Sequence, residues 1–394
     1  MEKLIPDIAY RYRPTEDYLY SGEKTGIRRS IYYKTQFTVF ERAAISEFKE
    51  YLKGKLPCKT VPEFFGDEEL LRILIKFKFN NKRAVDGLIG EIEWRTSILP
   101  NSYHSLGLQV QPMLNSGIIY ISGRDNRYRP LLVILCEKLS QLKNQMEKIS
   151  YVLIFFIEFI RSELSVPGKV ENFILLVDMA GRAIKDSPVK ELKMLYEVIQ
   201  THYPDYVSLN YIINSAGKGM FGSMFNNFMD SETTRKTLWG KSNGSDYLSI
   251  HFNPGQLEKK YGGKLENYSE FWPVVMPPGP YAAKGETEDE FLLPEEPSES
   301  DFNDISEKMS LSLPFTREEN FLSEVSSIKL DTNSYNVDVD IPASIEDPDL
   351  QNLSQGEKNG KGKGNGKWKE SADVEDDSED QGKKCCSRIK CMVA

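Results

Sequence analysis

Of the five cysteines in the chain, three stand together: Cys385, Cys386 and Cys391, among Lys383, Lys384, Arg388 and Lys390. A thiol followed by two apolar residues and a small final residue, here Cys391-Met392-Val393-Ala394, is a prenylation box of the farnesyl type. One lipid chain gives only marginal membrane binding, so stable anchoring takes a second signal. Palmitoylation of Cys385 and Cys386 would supply one, and each basic neighbour adds about 1 kcal/mol near an anionic leaflet. Zinc binding, the competing use of clustered cysteines, lacks a fourth ligand nearby. The acidic run DVEDDSED just upstream opposes the basic cluster.

The second chemical pattern is GKGMFG, 217–222, which matches G-x-G-x-x-G between an expected strand and an expected helix. A dinucleotide site would place it at the first strand, with an acid at the end of the next strand about 20 residues on. Neither condition is met. Glycines that permit a strand-to-helix turn explain the pattern more simply. His104, His202 and His251 are the only histidines, and their spacing does not suggest metal ligands. No nucleophile elbow or phosphate-binding loop occurs. We expect no catalytic activity and no cofactor, although a dinucleotide-dependent enzyme stays open as an alternative resting on Gly217, Gly219 and Gly222 alone.

These residues sit on a chain with a marked compositional break. Up to about residue 284 it is mixed and rich in Tyr and Phe; beyond, it is acidic, Ser-rich and poor in aromatics. The latter composition cannot bury enough apolar surface to offset the entropy of ordering. Residues 284–394 are therefore expected to be a disordered tether ending in the basic, lipidated cluster. A flexible chain of that length spans roughly 55 Å root-mean-square. The start of the sequence has no basic region followed by an apolar run, and the cysteines form no disulfide framework, so a cytoplasmic location is expected. The run YVLIFFIEFI is too short for a span, which needs about 20 residues, and reads as a buried helix.

Residues 1–36 form a Tyr- and Arg-rich extension. Residues 37–98 read as a helical module: FTVFERAAISEFKEYLKG, with Phe40, Ala44, Phe48 and Leu52 on one face, then DEELLRILIKFKF and NKRAVDGLIGEIEWRTS. From residue 115 to 283 strands alternate with helices, which predicts a largely parallel sheet. SGIIYISG and PLLVILC flank a turn; NFILLVDMAG and YVSLNYIINSAG suit strands buried on both faces. A single helix is expected over 137–164, one after Ser187 as N-cap with Pro188 at the first helical position, and another in GQLEKKYGG. FWPVVMPPGPY is expected to pack back on the domain.

The stretch SAGKGMFGSMFNNFMDSETTRKTLWG resembles the lid region of CRAL-TRIO lipid-binding proteins, in particular the phosphatidylinositol/phosphatidylcholine transfer group. Other segments agree in order: DEELLRILIKFKFNNKRAVDGLIGEIEWR, GRDNRYRPLLVI, LLVDMAG, IQTHYPDYVSLNYIINSA and QLEKKYGGKLEN, together covering about 40–267. The resemblance implies an α/β CRAL-TRIO domain behind a small helical bundle, with a lid helix. It implies a bound phospholipid in a dry cavity sized for two acyl chains. Met220, Phe221, Met224, Phe225 and Phe228 make a broad apolar stripe, able to cover such a cavity or lie on a membrane. Gly217, Gly219 and Gly222 would then be the hinge. The same stripe also suits an ordinary core helix, because periodicity alone does not separate the two.

For the headgroup, the family's Thr and Lys that hold the lipid phosphate match Thr233 and Lys236, and an acid that contacts inositol matches Asp205. Two departures accompany these matches. A family arginine that helps hold phosphate falls on Phe77, flanked by Lys76 and Lys78. The hydroxyl residues that recognise phosphatidylcholine fall on Phe173 and Leu175, which cannot donate. Phosphatidylinositol is accordingly the favoured lipid. The expected partners are phospholipid and a cytosolic membrane surface, with a small GTPase or lipid kinase if the protein senses lipid instead of moving it; no nucleic-acid partner is expected.

Overall fold

The computed structural model describes residues 4–15, 20–21, 28–56, 61–62, 64–99, 102–180, 187–215, 222, 225, 228–283 and 285–287. All of them belong to the first of two units into which the chain divides; the second, Pro297–Glu379, lies outside the described residues, as do Cys385, Cys386 and Cys391.

The helical module contains α1 (Val39–Leu52), α2 (Asp67–Lys76) and α3 (Asn81–Ile98). Thr38 closes a capping box on α1: its hydroxyl accepts from Glu41 N at 3.1 Å while its own N–H donates to the Glu41 carboxylate at 2.8 Å. The face that α1 buries is Glu41, Ile45, Phe48 and Leu52, one position away from the expected Phe40 and Ala44. The cause is Arg29 of the extension, whose Nε and Nη2 donate to Glu41 at 2.9 and 2.7 Å and draw it inward. Acids at Asp67, Glu68 and Glu69 occupy the first turn of α2, where the helix dipole favours them. Asn80 caps α3 by accepting from Arg83 N. The apolar faces meet in a core that includes Tyr32, Ile45, Phe48, Leu71, Leu74 and Leu88.

Next come α4 (Tyr103–Leu114), β1 (Ile119–Arg124), β2 (Pro130–Leu135), α5 (Cys136–Gln141), α6 (Met146–Phe159), β3 (Phe173–Asp178), α7 (Val189–His202) and β4 (Val207–Ile213). The series ends with α8 (Ser231–Arg235), β5 (Thr237–Trp239) and α9 (Ser245–His251). The strands form one sheet in the order β1-β2-β3-β4-β5. The β1–β2 pair is antiparallel and the others are parallel, which gives the mostly parallel α/β sheet expected from the alternation. Successive residues point to opposite faces. Ile119, Leu132, Phe173, Leu175 and Val177 enter one apolar layer with α4, α6 and α7. Tyr120, Leu131, Val133, Ile174 and Leu176 enter another with α9 and Phe252, Leu257, Tyr261 and Phe271. Both faces are therefore covered, and β2 and β3 up to Asp178 are continuous apolar runs for that reason.

Several boundaries differ from the sequence reading. The helix expected over 137–164 is split into α5 and α6 by Leu142 (φ −114, ψ 23) and a 3-10 turn, and it ends in a π-helical turn at Ile160–Leu164. Ser187 does not cap α7: Pro188 takes the N-cap position, and Ser187 contributes its carbonyl to Val189 N. GQLEKKYGG forms 3-10 turns at Pro254–Gln256 and Lys259–Tyr261 in place of a helix. The reason is Glu258, fully buried where it accepts the Tyr120 hydroxyl at 2.6 Å, an inward position that would break a solvated helical face. Backbone contact is equally close at Gly123, where an added Cβ would lie 2.2 Å from Gln256 O. The Pro-rich segment does pack back: Phe271, Val274, Tyr281 and Ala283 are buried. Among the described residues no helix is long and apolar enough to cross a membrane.

Candidate functional site

Parallel pairing of β4 with β5 brings two distant stretches together: the turn before β4, which carries Asp205, and α8, which carries Thr233 and leads into Lys236. Asp205 has a left-handed backbone (φ 62), unusual for a residue with a Cβ. Its carbonyl accepts from Asn172 Nδ2 at 2.7 Å, and its carboxylate accepts from the Tyr32 hydroxyl at 3.1 Å. Lys236 Nζ lies 3.5 Å from Asp205 Oδ1 and 3.1 Å from Glu232 Oε1. Asp230 caps α8 by accepting from Thr233 N at 2.7 Å, and the Thr233 carbonyl accepts from the Thr237 hydroxyl. Lys236 and Asp205 thus touch, with Thr233 one turn away. An arriving anion has to take Lys236 from Glu232 or Asp205.

Of the stripe and hinge residues, Met220, Phe221, Met224, Gly217 and Gly219 lie outside the described residues. Gly222 and Phe225 are helical and buried. Phe225 has no exposed surface; its ring lies 5.0 Å from Phe228, 5.2 Å from Trp239 and 6.4 Å from Tyr196. Phe225 and Met229 join the apolar layer that holds Phe173 and Leu175. Gln200 of α7 anchors the exit from this stretch, donating to Phe228 O at 3.0 Å and accepting from Asp230 N at 2.6 Å. Phe225 and Met229 therefore pack on one apolar face of the sheet, and the chain after Met229 leads into Lys236. Phe173 and Leu175 are fully buried.

A second feature, unforeseen from the sequence, joins the helical module to the sheet domain. Glu158, the acid inside the apolar run, accepts from Arg95 and Arg161 at 3.0 Å and from the Tyr203 hydroxyl at 2.8 Å. Glu69 accepts from the hydroxyls of Tyr33 and Tyr206 at 2.7 and 3.0 Å and faces Arg161 and Arg72, each at 3.5 Å. Burial alone would raise the Glu69 carboxyl; the Arg72 and Arg161 charges and the Tyr33 hydrogen bond outweigh it and hold it down at about 2. Glu158 is lowered as well, because Arg161 and Arg95 overcome its burial. Glu171 accepts from three backbone N–H groups, of Tyr32, Tyr33 and Gly168. The signal for this network was Glu158 within YVLIFFIEFI: a buried carboxylate must find cations, and Arg161 stands three residues on.

No three described residues of metal-ligating type come together as a metal site. Residues 114–263 match the family model described as CRAL/TRIO domain. No curated protein matches the chain. Among solved structures, a crystal structure of Sfh5 is similar over 71% of this chain and 100% of that one, with 14% identity and a TM-score of 0.46.

Proposed function

We propose that this protein binds one phospholipid, phosphatidylinositol, and transfers or presents it at a cytosolic membrane face. The observation that carries the reading is the CRAL/TRIO match over 114–263, which spans the apolar layer under Phe225. In this reading the acyl chains lie against that layer, and the Phe225 stretch is the door. Lys236 is a flexible point charge suited to the lipid phosphate, and Thr233 stands beside it. Asp205 accepts inositol hydroxyls when Lys236 turns to phosphate. Fully buried Phe173 and Leu175 offer no hydroxyl donor to a phosphocholine headgroup, which supports the inositol lipid.

Lys236→Ala is expected to slow phosphatidylinositol transfer between vesicles by about tenfold, the worth of one hydrogen bond to a charged group. An unchanged transfer rate would remove Lys236 from the headgroup site.

The tether reading adds lipidation of Cys391, with Cys385 and Cys386 as the second signal. Cys391→Ser is expected to move the protein from the membrane to the soluble fraction of a eukaryotic cell. Equal partition of wild type and variant would remove the prenyl anchor.

A further inference from the structure

Tyr32 belongs to the extension ahead of α1, 173 residues before Asp205, yet the two side chains meet. The Tyr32 hydroxyl donates to Asp205 Oδ2 at 3.1 Å, while Lys236 Nζ faces Oδ1 at 3.5 Å. The two oxygens of one carboxylate thus have different partners. Lys236 and Asp205 keep 17% and 19% of their side-chain surface exposed, so a headgroup can reach them; Tyr32 is fully buried behind them. Three sets of contacts fix Tyr32. Arg29 folds the extension into a loop: its Nη1 donates to Ile31 O and Thr35 Oγ1 at 3.1 and 2.7 Å, and its Nη2 to Gln36 O at 2.9 Å. The Tyr32 N–H donates to the Glu171 carboxylate at 2.7 Å. The Tyr32 ring carries the Arg72 guanidinium 3.8 Å from its centroid, a cation–π contact.

A carboxylate that reads hydroxyl groups works best when its acceptors already point the right way. The Asp205 backbone is left-handed and held by Asn172 Nδ2 on its carbonyl. Its carboxylate loses the Lys236 contact when that lysine turns to a phosphate, and the Tyr32 hydroxyl is the contact that stays. We propose that Tyr32 is a positioning residue of the headgroup site: it holds Asp205 Oδ2 so that Oδ1 meets inositol hydroxyls, and so sets selectivity for inositol over a bare phosphate headgroup. This rests on the lipid reading above and adds a residue of the N-terminal extension to the site. Burial first, then the Asp205 charge, raise the Tyr32 hydroxyl well above its ordinary value, so it remains a protonated donor at neutral pH. Phosphatidic acid, which carries phosphate and no inositol, needs Lys236 and not Asp205.

The test uses the full chain and phosphatidylcholine vesicles carrying equal amounts of phosphatidylinositol and phosphatidic acid. Native mass spectrometry counts the lipids taken up by wild type, Tyr32→Phe, Tyr33→Phe, Asp205→Ala and the Tyr32→Phe/Asp205→Ala double variant. Tyr32→Phe keeps the ring on Arg72 and removes only the hydroxyl. It is expected to lower the ratio of inositol lipid to phosphatidic acid about fivefold, the worth of one hydrogen bond. Tyr33→Phe removes a hydroxyl from Glu69 instead and should leave the ratio as in wild type. In the Asp205→Ala background Tyr32→Phe should lower the ratio no further. An unchanged ratio in Tyr32→Phe, an equal loss of both lipids, a further drop in the double variant, or failure of Tyr32→Phe to fold would each overturn the positioning role. If wild type takes up phosphatidylinositol while one of these results holds, this inference falls alone. A wild type that takes up no phosphatidylinositol sinks the lipid reading, and this inference with it.

Discussion

Replacing Glu158 with alanine is expected to destabilise the protein by about 3–5 kcal/mol, the cost of leaving buried charge uncompensated. Arg95 and Arg161 both donate to this carboxylate, as does Tyr203, and both arginines are nearly buried. The total stability of a domain is only about 5–15 kcal/mol, so the variant stands close to unfolding at room temperature. The contrast is the exposed pair Lys53–Glu50, whose side chains are 71% and 68% exposed; Glu50→Ala should cost about 0.5 kcal/mol or less. Urea denaturation of the two variants decides the matter. Equal midpoints would show that the seam network does not hold the two modules. The same network predicts acid lability. Glu69 has a folded value of about 2 against an ordinary 4.5. A carboxylate lowered on folding contributes stability that is full above the ordinary value and is lost as pH falls toward the folded one. Unfolding midpoints should therefore decline between about pH 4.5 and 2, and less steeply in Glu69→Gln.

Phe225→Asp carries the second large effect, on function. Phe225 has no exposed surface, and its neighbours Tyr196, Phe228 and Trp239 offer an aromatic wall. An ionised carboxylate there costs far more than the closed arrangement can supply. The segment should open, and phospholipid should no longer co-purify. Shifting a two-state door from mostly closed to mostly open takes about 5.5 kcal/mol, within reach of one buried charge. The helical module has its own core, so its helices should survive. Phe225→Leu keeps the apolar cover and should retain lipid. Full lipid retention by Phe225→Asp would mean that this stretch is core and not door.

Much of this fold is legible in the sequence because its strands are buried on both faces. β2, and β3 up to Asp178, appear as unbroken apolar runs, and α2 announces itself by three acids in its first turn. What escapes the sequence is set by partners far along the chain. Glu41 turns inward because Arg29 waits there, which moves the first two buried positions of α1 by one residue while Phe48 and Leu52 stay as expected. Glu258 turns inward because Tyr120 waits there, which prevents a helix. α4 is hidden by Gly107 and Pro112, yet Gly107 is needed: a Cβ would lie 2.6 Å from the Phe155 ring of α6. At the candidate site the residue types are readable, but the 3.5 Å approach of Lys236 to Asp205 depends on β4–β5 register and on a left-handed turn. Residue spacing encodes neither.

Native mass spectrometry of the full chain, purified from a eukaryotic host, tests the central claim most directly. The account predicts one phospholipid per chain, released on unfolding and identified as an inositol lipid. A spectrum of bare protein alone, together with no lipid extracted from phosphatidylinositol-containing vesicles, would contradict it.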